Sequence, residues 1–130
     1  MHELRVSDDV LRARVAAREL VRGAGLGVMD QTRFATAVSE LARNAVRYGR
    51  EGQCVLSDLS DARLHRLQAQ VSDSGPGIAD ISLALQDGFS TGGSLGAGLP
   101  GTRRLVDVFD IRSAPTGTVV TVQIVRPRRP

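Results

Sequence analysis

Two apolar stripes of helical period run from Val10 to Gly49, and a chain carrying both must find one surface to bury them against. Val10, Ala13, Ala17, Leu20, Val21 and Ala24 recur at spacings of three and four. After Gly23, Gly25 and Gly27, Phe34, Val38, Leu41 and Ala45 form the second stripe, which stops at Gly49. The rest of the chain supplies the matching surface. Gln53 to Ser57 and Leu64 to Val71 read as strands joined by the polar turn "SDLSDAR". In the second of them Leu67, Ala69 and Val71 alternate with Gln68, Gln70 and Ser72, so one face is apolar and the other wet. "FDIRSA" and "TVVTVQIV" form a closing hairpin around Pro115-Thr116-Gly117. "ELRVSDD" is a short first strand leading to a helix cap at Ser7, Asp8 or Asp9, and Asp30 caps the second helix. "DISLALQDG" is a short helix, Leu99 to Val108 is another opened by Pro100, and the tail "RPRRP" is frayed. Helices and strands fall in blocks. The expected fold is α+β, a two-layer sandwich with one mixed, mainly antiparallel sheet and helices on one face. Residues 1–130 make a single domain.

Composition narrows the function classes. All seventeen basic residues are arginine and the net charge is +3, which suits an anionic partner such as a nucleotide. No block of arginines and almost no aromatic residues are present, so a nucleic-acid stacking platform is not expected. No segment has the length of a membrane span, nothing resembles a signal peptide, and the single Cys54 fits a reducing cytoplasm.

Three stretches carry chemistry. In "VSELARNAVRYG" the buried stripe leaves Asn44 about 90° and Glu40 about 130° away around the helix. Thr36, Ser39, Arg43 and Arg47 fill the rest of the polar side. Spacing of four lets Glu40 and Asn44 converge on one point, as a proton acceptor beside a neutral oxygen ligand of a magnesium–phosphate site or as a solvated helix flank. In "VSDSGPGI", Asp73 ends a strand on the face of Leu67, Ala69 and Val71. Gly75, Pro76 and Gly77 turn the backbone tightly and leave room for a flat ligand, although Asp73 also reads as the capping group of a strand-to-helix turn. In "STGGSLGAGLPG", consecutive glycines free backbone amides to form an anion nest ahead of a helix N-terminus. No Gly-Lys-Ser/Thr follows, so this is no P-loop, and no strand leads into it as a dinucleotide fingerprint requires.

"ELARN" on a helix, "DSGPGI" after a strand and "SLGAGLPG" before a helix, in that order, resemble the N, G1 and G2 boxes of the GHKL ATP-binding superfamily. That fold is shared by gyrase, Hsp90, histidine kinases and MutL. "TGTVVTV" resembles its closing strand. The chain shows no dimerisation helices, receiver segment or transducer domain, and as a bare module it resembles the anti-sigma-factor serine/threonine kinases. "DQTRFATAVSELARN" and "DGFSTGGSLGAGLPGTRRLVD" are most like the stressosome switch kinases. The resemblance implies ATP and magnesium as cofactors, with Asn44 the metal ligand and Glu40 the base for the acceptor hydroxyl. It makes Asp73 the partner of the adenine amine, Gly75, Gly77 and Ile78 the lining of the base, and Thr118 their support. Gly93, Gly96 and Gly98 would cradle the phosphates under a lid from Ser90 to Ala97, with Arg47 a cation near them. The implied partners are STAS-domain anti-sigma-factor antagonists or stressosome proteins and a PP2C-type phosphatase. A nucleotide-gated anti-sigma factor and a detached histidine-kinase domain share the same nucleotide site and stand as the competing readings.

Overall fold

The computed structural model describes residues 1–48, 50–75 and 98–128. Strand β1 (His2–Leu4) leads into helix α1 (Ser7–Gly23), which is followed by helix α2 (Val28–Tyr48). Strands β2 (Gly52–Asp58) and β3 (Leu64–Asp73) come next, then helix α3 (Gly98–Leu105) and strands β4 (Val108–Ala114) and β5 (Gly117–Pro127). The sheet has five strands in the order β1-β2-β3-β5-β4. Every neighbouring pair is antiparallel, so the mixed sheet expected from the sequence is not what the described strands form. The reason lies in the connections. A two-helix excursion between β1 and β2 returns the chain reversed, the β2–β3 and β4–β5 turns reverse it again, and β5 rather than β4 takes the place beside β3.

The helix ends follow local chemistry. At the start of α1, Asp9 reaches back and its Oδ2 accepts the N–H groups of Arg5 (2.9 Å) and Val6 (3.1 Å). Of the three candidate caps, Asp9 is therefore the one used, from within the first turn. Those backbone hydrogen bonds hold its carboxyl below the usual aspartate range. At the other end, Gly25 sits at φ +85°, Leu26 N–H bonds Val21 O (3.3 Å) and Gly25 N–H bonds Arg22 O (2.9 Å). This is a Schellman close, and it sets the reversal into α2. Helix α2 starts two residues before Asp30, so Asp30 is not its cap. Its Oδ1 instead takes Arg126 Nη2 at 2.9 Å. Arg126 Nη1 also meets Asp107 Oδ2 at 2.7 Å, and the same oxygen accepts Val125 N–H at 2.8 Å. The pull of Asp107 toward β5 explains why α3 ends at Leu105 rather than continuing to Val108. It also anchors Val125 and Arg126, and Arg128 N–H bonds Arg63 O at 2.9 Å, so these residues are tied down rather than frayed.

Both helical stripes and the inner sheet face meet in one core. Ala13, Ala17 and Val21 of α1 and Phe34, Val38, Leu41 and Ala45 of α2 are buried against Leu67, Ala69, Val71, Val120, Val122 and Ile124. Ser39, placed on the polar side by helical geometry, is buried as well, because α1 packs against α2 and covers that flank. The outer sheet face is polar: Arg66 Nη1 donates to Gln123 Oε1 (2.7 Å) and Gln123 Nε2 donates to Gln68 Oε1 (2.8 Å).

Cys54 is fully buried on the inner face of β2, and burial pushes its thiol up to about 11. The folded state thus holds this proton more tightly than the unfolded chain. Stability is intact below about pH 9 and is lost as pH rises toward 11, by about 2–3 kcal/mol from this group. Urea melts at rising pH are expected to show a steeper loss for the native protein than for Cys54→Ala. Equal slopes would mean that the thiol is reached by water.

Candidate active site

Chain direction gathers one end of the sandwich. Helix α2 ends there, β3 ends there, β5 begins there, and α3 begins there because its far end feeds the opposite end of β4. Arg50, just past α2, is tied to the end of β3: its carbonyl accepts Ser74 N–H at 2.7 Å and Ser74 Oγ–H at 3.0 Å. This strut fixes the last turns of α2 relative to Asp73. The sequence reading missed it, since nothing in "YGREG" signals which carbonyl a serine will find.

Asp73 lies at the end of β3 on the core side of the sheet, half-buried, and its direct cross-strand partner is Thr118. Asp73 Oδ1 accepts Gly75 N–H at 2.9 Å, which curls the start of the glycine turn around the carboxylate. A carboxylate held through one oxygen keeps a second acceptor for an outside donor. Thr118 is buried, and its Oγ1 lies 2.9 Å from Ser113 Oγ across the β4–β5 hairpin. Gly117 has to be glycine here: a Cβ would stand 2.2 Å from Asp73 O. The Gly117 backbone, the Thr118 hydroxyl and the Asp73 carboxylate therefore lie close together at this end of the sheet.

Glu40 and Asn44 lie one turn apart on α2, both half-buried, beyond the edge of the core stripe. Glu40 Oε1 receives Arg43 Nη1 at 2.6 Å. Arg43 was assigned only to the polar side of the helix. Its spacing of three from an acid is the signal that could have found the pair. Arg47 is exposed in the last turn of the same helix. Gly98 opens α3, and the start of a helix presents backbone N–H groups of the kind that bind anions. Gly77, Ile78, Gly93 and Gly96, the lid from Ser90 to Ala97 and the "DISLALQDG" helix lie outside the described residues. Among the described residues no three acidic, histidine or cysteine side chains gather into a metal cage. A magnesium ion, which favours few protein oxygens and keeps phosphate and water ligands, fits the single neutral oxygen of Asn44.

A helical pair over an antiparallel sheet, with Glu40 and Asn44 on the second helix and an aspartate ending the central strand, is the layout of a histidine kinase-like ATPase. The model of that family, the histidine kinase-like ATPase domain, matches residues 6–124, and the chain belongs to it. Within the family the chain is RsbT-like. It is 44% identical over 113 residues to the serine/threonine-protein kinase RsbT of Bacillus subtilis (strain 168), covering 86% of this chain and 85% of that protein. The resemblance read from the three boxes is borne out. Among solved structures, the RsbU and RsbW domains of Rv1364c from Mycobacterium tuberculosis superpose with a TM-score of 0.60 at 22% identity, over 99% of this chain and 32% of that one. The catalytic domain of histidine kinase ThkA gives a TM-score of 0.57 at 18% identity, over 98% and 97%. These two likenesses are of fold. No helix among the described residues is long and apolar enough to cross a membrane.

Proposed function

We propose that the chain is an ATP-dependent serine/threonine protein kinase of a partner-switching stress pathway, working in the cytoplasm. Its acceptors are STAS-domain regulators, and it also activates a PP2C-type phosphatase. The observation that carries this reading is the 44% identity to a serine/threonine-protein kinase along most of both chains. Glu40 takes the proton of the acceptor hydroxyl. Asn44 holds magnesium against the phosphates, and Arg47 stands as a cation near them. Asp73 accepts the adenine amine, with Thr118 in support and Gly75, Gly77 and Ile78 along the base. The amides of Gly93, Gly96 and Gly98 cradle the phosphates. Magnesium when bound neutralises phosphate charge. Phosphoryl transfer needs little more from a protein than this, namely positioning, charge neutralisation and a base.

The partner is tested by offering the protein, with magnesium and ATP, a purified STAS-domain regulator and a purified sigma factor in parallel. The expected outcome is a phosphorylated STAS domain and no stable complex with the sigma factor. Tight nucleotide-dependent retention of the sigma factor, with no phosphorylated STAS domain, would replace the kinase by an anti-sigma factor.

A further inference from the structure

Glu40 sits between two neighbours on α2. By helical geometry Asn44 lies about 40° to one side of it and Arg43 about 60° to the other. The carboxylate lies on the Arg43 side, at 2.6 Å from Nη1. Glu40 is largely covered, with 18% of its side chain exposed, whereas Arg43 is 48% exposed. The arginine is therefore the member of the pair that can swing into solvent.

We propose that Arg43 is a positioning residue that parks Glu40 away from Asn44 until an acceptor arrives, so that the base does not activate water. The inference rests on the kinase reading above and on Glu40 as its base. Water and a protein hydroxyl compete for the same step. In each case an O–H proton passes to Glu40, a new bond forms from that oxygen to the γ-phosphorus, and the bond from the γ-phosphorus to the bridging oxygen of ADP breaks. With water the products are ADP and inorganic phosphate; with serine or threonine they are ADP and a phosphoprotein. A kinase that waits for a protein partner loses ATP if Glu40 is always turned inward. A half-exposed ion pair is weak enough for a docking protein to displace and strong enough to bias the resting side chain.

The test needs only magnesium–ATP and water. Hydrolysis without acceptor is measured for the native protein, Arg43→Gln, Arg43→Lys and the double variant Arg43→Gln/Glu40→Gln. Both replacements at Arg43 are good helix formers at an exposed position, and ATP titration checks each fold. Arg43→Gln is expected to hydrolyse ATP about twofold faster, the factor that a pair of this kind supplies. Lysine should restore the low rate, and the double variant should lose the gain. In the nucleotide-free protein, arginine side-chain NMR should show a restrained Arg43 guanidinium that is released in Glu40→Gln. Hydrolysis by Arg43→Gln equal to or below the native rate would overturn the parking role while leaving the kinase reading in place. If Glu40→Gln also leaves transfer to an acceptor unchanged, the base assignment fails and the parking role with it.

Discussion

Glu40→Gln is expected to keep nucleotide and partner binding and to slow phosphoryl transfer by roughly 10²–10⁴-fold, the usual contribution of a positioned base. Glutamine keeps the length and branching of the side chain and removes only the group that accepts the proton. The structure says why the fold should survive. Glu40 is outside the core stripe, and its carboxylate bonds half-exposed Arg43, a pair of a kind worth about 0.3–0.5 kcal/mol. The melting temperature should therefore barely move. Single-turnover transfer at saturating ATP isolates the chemical step from binding. A folded Glu40→Gln protein that transfers at the native rate would return Glu40 to a solvated flank paired with its neighbour.

Asp73→Asn is expected to weaken ATP binding ten- to a hundredfold, about 1.5–3 kcal/mol for the loss of a charge-assisted hydrogen bond. Asparagine is a discriminating choice because it can still accept Gly75 N–H and so preserve the turn made at 2.9 Å. Its amide would present a donor to the adenine amine, itself a donor. Thr118 stays as cross-strand partner in the mutant, so the strand register should not change. Calorimetry should show the loss for ATP together with an unchanged melt. An unaltered ATP affinity in a folded mutant would remove adenine from this end of the sheet.

The layers of the fold were legible because their apolar periods were. Phe34, Val38, Leu41 and Ala45 are buried as the 3.6-residue period requires, and Leu67, Ala69 and Val71 as the two-residue period requires. Periodicity is blind to what lies beyond one element. It put Ser39 in water because α1 was not yet laid against α2. It made Asp30 a cap because its partner, Arg126, is ninety-six residues away in sequence. The mixed sheet failed for a similar reason: strand direction depends on how many elements intervene, which a single strand does not record. At the site, the alternation through β3 placed Asp73 correctly on the core side, and the hairpin around Pro115-Thr116-Gly117 delivered Thr118 opposite it. The contacts that hold the site, Ser74 to Arg50 and Ser113 to Thr118, join side chains to atoms whose positions only the assembled sheet defines.

The most direct measurement is the chemical linkage of the transferred phosphate. The protein is incubated with magnesium and ATP labelled at its γ-phosphate together with a STAS-domain acceptor, and the product is treated with acid. Label that survives acid on serine or threonine of the acceptor, present with the native protein and strongly reduced with Glu40→Gln, is the result this account predicts. Acid-labile label on histidine, or bound ATP with no label transferred at all, would contradict it.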